Sequence, residues 1–217
     1  MTTTFWQEFA PDAELSAPYT DRYRVRVGAR SLDLPLRALP DGKHAVSSLL
    51  VNHASFGVLD AIVEDMSRIA LEFAPEVIVG VPTLGLTLAP GVARACGHAR
   101  YVPLSTSRKF WYRDDVSVPL TSITSPGNAK FLYLDPNLLP LLQEKRVLLV
   151  DDVVSTGTSL AATIALLGMM KVEPVGVVCA MTQTNRWRDR VSVPVSGSFS
   201  SPLFVRNERQ WVPDFTC

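Results

Sequence analysis

Two adjacent carboxylates, Asp151 and Asp152, stand between four apolar residues, Val147 to Val150, and a run of small ones, Ser155-Thr156-Gly157-Thr158-Ser159. The apolar run reads as a buried strand of a parallel sheet. The small residues read as a turn opening an apolar helix over Leu160 to Met170. The first N–H groups of a helix have no intrahelical acceptor, so such a turn attracts an anion such as phosphate. Carboxylates at a strand's end favour hydroxyls or a hydrated divalent cation. A ligand that satisfies both preferences is a sugar phosphate carrying magnesium.

The elements that must position this pair are legible on either side. Tyr23, Val25 and Val27 alternate with Arg22, Arg24 and Arg26, and after Gly28-Ala29-Arg30 the alternation resumes at Leu32, Leu34 and Leu36. This predicts a β-hairpin with the arginine row on its wet face. Phe56, Leu59, Ile62, Val63, Met66, Ile69 and Phe73 recur at helical spacing. Pro75 then blocks continuation. Val77 to Val81 reads as the first buried strand, Thr87 to Ala95 as a helix in which Pro90 fits only a first turn, and Arg100 to Leu104 as a second strand. Ser105 to Lys130 lacks periodicity and is expected to be a long functional loop. Phe131 to Leu134 and Pro174 to Met181 complete the strands. Strands alternating with helices predict an α/β fold with an open, mainly parallel sheet, in which ligands bind beyond the carboxyl ends of the strands.

The thirteen residues from Val147 to Ser159 resemble the phosphoribosyl-pyrophosphate signature of the type I phosphoribosyltransferases: four hydrophobic residues, two acidic, two hydrophobic, then a small Thr/Gly/Ser turn. The resemblance covers about residues 77–181. It implies an α/β core, here 44–185, with a hood over the acceptor built from 1–43 and 186–217 in one domain. It implies that Asp151 and Asp152 hold ribose hydroxyls or waters on Mg2+. It implies that Val153, Val154, Ser155, Thr156, Gly157, Thr158 and Ser159 bind the donor's 5′-phosphate end. Pro82, Thr83, Leu84 and Gly85 occupy the place of the pyrophosphate loop, without the arginine that some relatives carry there. Arg108 and Lys109, with Arg113 behind them, occupy the place of the flexible catalytic loop, where cations stabilise departing pyrophosphate.

The acceptor is less directly marked. Many enzymes for 6-oxopurines carry an aspartate where this chain has Ser155, and serine cannot act as a base near neutral pH. Phe131-Leu132-Tyr133-Leu134-Asp135 resembles adenine phosphoribosyltransferases, although an acidic residue and a glycine usual around that tyrosine are absent. An adenine-like purine is therefore the favoured nucleobase, and Trp187 and Trp211 are the aromatic candidates for stacking on it. The alternative is a non-catalytic sensor of phosphoribosyl pyrophosphate on the same fold. The first 52 residues show no helix-turn-helix pattern that would serve such a regulator.

Composition narrows the setting. The 217 residues carry 21 basic and 21 acidic side chains, so no general attraction to nucleic acid or a membrane surface is expected. Cys96, Cys179 and Cys217 are scattered, with no metal-ligand spacing. Cys96 and Cys179 sit in apolar runs and read as packing residues. An odd cysteine count with no signal peptide is expected of a cytoplasmic protein. The resemblance implies a homodimer.

Overall fold

A computed structural model describes residues 7–11, 15–112, 116–120 and 130–216. Five parallel strands form the central sheet in the order β11-β10-β9-β5-β6. These are β5 (Val77–Gly80), β6 (Val102–Pro103), β9 (Val147–Val154), β10 (Pro174–Gln183) and β11 (Val195–Ser201). Helices α1 (Phe56–Glu72), α2 (Gly85–Ala95) and α3 (Thr158–Met169) connect or flank them. Side chains alternate across each strand. Ile78, Leu148, Val150 and Val178 therefore join one core with α1 and α2, while Val79, Leu149 and Val177 join a second with α3.

An antiparallel hood covers the first core. Its strands are β1 (Phe9–Ala10), β2 (Arg22–Val27), β3 (Arg30–Ala38), β4 (His44–Ser47), β12 (Leu203–Asn207) and β13 (Gln210–Asp214). The path runs β1-β3-β4-β12-β13, with β2 paired to β3. Both ends of the chain thus build the hood. The divisions at 44 and 185 need correction: His44–Ser47 is a hood strand, and Val195–Ser201 pairs in parallel with β10 in the core. A buried polar knot stitches the two sheets. Ser47 Oγ bonds Ser201 Oγ at 2.7 Å, and Gln183 Nε2 donates to the Ser47 carbonyl at 2.7 Å.

Several expectations change in detail. The strand holding the acidic couple runs on to Val154, because Asp151, Val153 and Val154 pair in register with Cys179, Met181 and Thr182. The couple therefore lies within the strand rather than after it. Pro90 sits inside α2 rather than in its first turn. Phe56 opens α1 and is 84% exposed, outside the apolar stripe. Ser55 caps that helix, its Oγ accepting from Val58 N–H, and the Arg146 guanidinium donates to the carbonyls of Phe73 and Ala74 at the other end. The expected loop after Leu104 is partly a β-ribbon, β7 (Ser117–Leu120) against β8 (Lys130–Tyr133), packed on the α3 side. Arg24 is not on a wet face alone. It grips Asp33 through two guanidinium nitrogens at 2.6 and 2.9 Å and is half-buried.

Candidate active site

The carboxyl ends of β9 and β5 lie side by side, and each is followed by a turn into a helix. At the first, Gly157 adopts φ +76°, a left-handed conformation that L side chains seldom take, and serves as the N-cap of α3. Its carbonyl accepts the first helical bond, from Ala161 N–H at 2.8 Å. The N–H groups of Thr158, Ser159 and Leu160 therefore point out of the helix without intrahelical acceptors. These residues, with Asp151 and the rest of 153–160, line a cavity of about 110 Å³. Thr156 Oγ1 and Thr158 Oγ1 lie 3.0 Å apart at its edge. The cradle is thus built of donors and small side chains, with an acidic wall on one side.

That wall is Asp151, the first member of the acidic couple. Asp151 is buried, and its Oδ1 accepts from Asp152 N–H at 2.8 Å. Burial, then the neighbouring Asp152 charge and a hydrogen bond between the two side chains, raise the Asp151 carboxyl well above the ordinary carboxylate range. Asp152 is half-buried and is raised too, again by burial. The ligand-free pair therefore retains a proton at a pH where ordinary carboxylates have lost theirs. Among the described residues no three His, Cys, Asp or Glu side chains converge on a metal site. A cation at the couple would be held through its own waters by the two carboxyl groups and completed by the ligand, the hydrated mode magnesium favours.

The second turn, Pro82-Thr83-Leu84-Gly85, follows β5. Val81 N–H donates to the Val150 carbonyl at 2.9 Å, tying the turn to β9. The Pro82–Thr83 peptide bond is cis. A Cβ on Gly85 would stand 2.9 Å from Asp151 Cα, from Asp151 Oδ1 and from the Val150 carbonyl oxygen. The missing side chain at Gly85 thus lets α2 pack onto Asp151. The close approach that Gly85 permits is made to the protein's own carboxylate.

Other expected site residues lie further out. Arg108 and Lys109 are exposed on the segment after β6 and do not line the cradle cavity. Trp111 on the same segment donates its indole N–H to Asp135 Oδ2 at 3.1 Å. Arg113 lies outside the described residues. Trp187 is buried rather than open for stacking. Its indole N–H bonds the Thr184 carbonyl at 3.0 Å, the Arg188 guanidinium covers its ring at 4.7 Å, and its Cα and Cβ back onto Gly157. Trp211 belongs to β13 in the hood, with Arg206 over its ring at 5.8 Å. Cys179 is buried beside the couple, and burial with the Asp151 charge pushes its thiol pKa up, away from any nucleophilic role.

Sequence reasoning missed Arg190. Its Nη1 donates to the Thr156 carbonyl at 3.3 Å and to Thr158 Oγ1 at 3.2 Å, directly on the cradle. The only local signal was the alternation of Arg186, Arg188 and Arg190 around Trp187.

The family model for the phosphoribosyl transferase domain matches residues 45–206. An adenine phosphoribosyltransferase from Frankia alni is 31% identical over 136 residues, which are 63% of this chain and 67% of that protein. Adenine phosphoribosyltransferase 5 from Arabidopsis thaliana is 25% identical over 139 residues, 63% of this chain and 66% of its own length. The chain thus spans about two thirds of these relatives. The Saccharomyces cerevisiae adenine phosphoribosyltransferase, solved with an iminoaltritol bisphosphate and adenine, superposes with a TM-score of 0.55 at 19% identity, covering 66% of this chain and 81% of that one. That last likeness is one of fold.

Proposed function

The chain belongs to the phosphoribosyl transferase domain family, and from that premise we infer that it is an enzyme that moves the 5-phosphoribosyl group from phosphoribosyl pyrophosphate to an adenine-like purine, releasing pyrophosphate. The observation that carries this reading is the donor-lined cradle of residues 155–160 set against buried Asp151, whose carboxyl is bonded to the backbone of Asp152. Two relatives named as adenine phosphoribosyltransferases support the choice of base. Neither name favours the sensor alternative.

The chemistry follows from what each group can offer. Outward N–H groups at the start of α3 hold the 5′-phosphate, with the hydroxyls of Thr156 and Thr158 adding bonds. Asp151 and Asp152 accept from the ribose hydroxyls and fix the sugar against the end of β9. The backbone of Pro82 to Gly85 flanks the pyrophosphate. Arg108 and Lys109 meet the charge that grows on the leaving group as the bond to carbon 1 breaks. Magnesium, held at Asp151 and Asp152 through water, would neutralise charge on the donor. The hood and the C-terminal segment cover the acceptor and exclude water. A purine ring nitrogen then bonds to carbon 1 as the bond from carbon 1 to pyrophosphate breaks; pyrophosphate leaves with the electron pair, and the purine gives up its ring N–H proton to solvent.

The test is pyrophosphate release from phosphoribosyl pyrophosphate and magnesium with a panel of bases. Turnover with adenine, and little with hypoxanthine or guanine, is expected. Donor binding without turnover on any base would contradict the enzyme reading. The proposal includes a homodimer and a cytoplasmic setting. Among the described residues no helix is long and apolar enough to cross a membrane, and sedimentation reads the assembly.

A further inference from the structure

Resting on the reading of the cradle as a phosphate seat, we propose that Arg190 is a positioning residue for the donor's 5′-phosphate: a cation beside the cradle that engages the Thr156 carbonyl and the Thr158 hydroxyl and adds positive charge to a seat built of donors. The cradle has a structural difficulty. Its N–H groups and hydroxyls suit a dianion, but the Thr156 carbonyl and the acidic couple repel one. Arg190 answers the first of these. One guanidinium N–H occupies the Thr156 carbonyl, and the same nitrogen reaches Thr158 Oγ1. With one lone pair of Thr158 Oγ1 engaged by Arg190, its hydroxyl proton remains to donate to a phosphate oxygen; the Thr156 and Thr158 hydroxyls, 3.0 Å apart, share one hydrogen bond in which either can donate.

The arginine is held in place by a docked turn. Between β10 and β11 the chain folds on itself, with Arg188 N–H bonded to the Asn185 carbonyl and both Arg190 and Val191 N–H to the Trp187 carbonyl. This turn sits against Gly157. A Cβ there would meet Val191 Cγ2 at 3.0 Å and Trp187 Cβ at 3.1 Å. The N-cap of α3 and the segment carrying Arg190 are therefore in van der Waals contact, and the guanidinium needs no large movement to serve the cradle.

The experiment measures ribose 5-phosphate binding by calorimetry to the full chain, beside Arg190→Met, which keeps the stem and removes the charge, and Arg190→Lys. The methionine variant is expected to bind ribose 5-phosphate about 10–100-fold more weakly. Its KM for phosphoribosyl pyrophosphate should rise accordingly while kcat at saturation stays within about threefold. Inhibition by inorganic pyrophosphate should change by less than about twofold, because that ligand does not use this seat. Lysine should restore part of the affinity. Unchanged ribose 5-phosphate binding in Arg190→Met overturns the proposal, as does an equal loss of affinity for pyrophosphate, which would mark a general collapse of the site. If the wild-type chain itself fails to bind ribose 5-phosphate, the phosphoribosyl reading of the cradle falls as well.

Discussion

Two strand-to-helix turns stand at neighbouring carboxyl ends of one sheet, and they use glycine for opposite ends. After β9, Gly157 takes a left-handed φ and opens a cavity whose walls are amides and small side chains. After β5, Gly85 has an ordinary backbone but no room for a Cβ, and it closes the gap between α2 and Asp151. The first turn is shaped toward something outside the protein. The second is shaped toward the first, closing over Asp151. A strand–turn–helix unit with a small residue at its bend therefore does not say by itself which way the small residue faces.

Breaking the couple should have the largest effect. Asp152→Asn is expected to lower kcat/KM roughly 100-fold while leaving the melting transition intact, since it removes charge at the sugar and no packing; unaltered steady-state kinetics would separate the couple from the chemistry. Next comes the contrast between the glycines. Gly85→Ala must push against backbone atoms of β9, so denaturant unfolding should show a loss of about 1–3 kcal/mol together with reduced turnover. Gly157→Ala should cost about 1–2 kcal/mol through its φ and through the approach of the new Cβ to Val191 Cγ2 at 3.0 Å and Trp187 Cβ at 3.1 Å, and should weaken donor binding more than it slows the bound complex. If both variants weakened donor binding equally with no difference in stability, the two turns would share one role.

Lys109→Ala sharpens the comparison from outside both turns. A cation that meets the leaving group should affect turnover by about tenfold and ground-state donor affinity little. A weaker donor affinity with normal turnover would move Lys109 into ground-state binding.

The smallest expected effect is on stability against pH. Burial raises the Asp151 carboxyl in the folded chain, so the unfolded chain gives up that proton first. The stability this group contributes is present at low pH and is lost as pH rises from the ordinary carboxylate range through the raised value. Asp151→Asn cannot ionise. Its melting temperature at neutral pH should exceed the wild type's by roughly 2–4 °C, equivalent to about 1 kcal/mol, and the gap should close on acidification. A gap that widened toward low pH would reverse the sign of the argument.

The sequence was legible where local pattern decides structure. Four apolar residues, two acids and a small-residue turn marked β9, the couple and the cradle, and the alternation from Tyr23 to Leu36 marked the hairpin. What it hid depends on distance. Val153 and Val154 extend β9 only because β10 is there to pair with them. The position of β11 in the core and of β12 and β13 in the hood is set by pairing with β10 and β4, far away in the chain. The fate of Gly85 turns on how closely α2 approaches β9, and that of Arg190 on a turn docked against Gly157. Trp187 read as an aromatic available to a ligand because composition does not show which face its ring presents; its indole N–H and ring are used within the fold.

The most direct test is a crystal of the chain grown with phosphoribosyl pyrophosphate and magnesium. The account predicts the 5′-phosphate on the N–H groups between Thr156 and Leu160, with the ribose hydroxyls against Asp151 and Asp152. A donor bound elsewhere, with the cradle filled only by water, would contradict it.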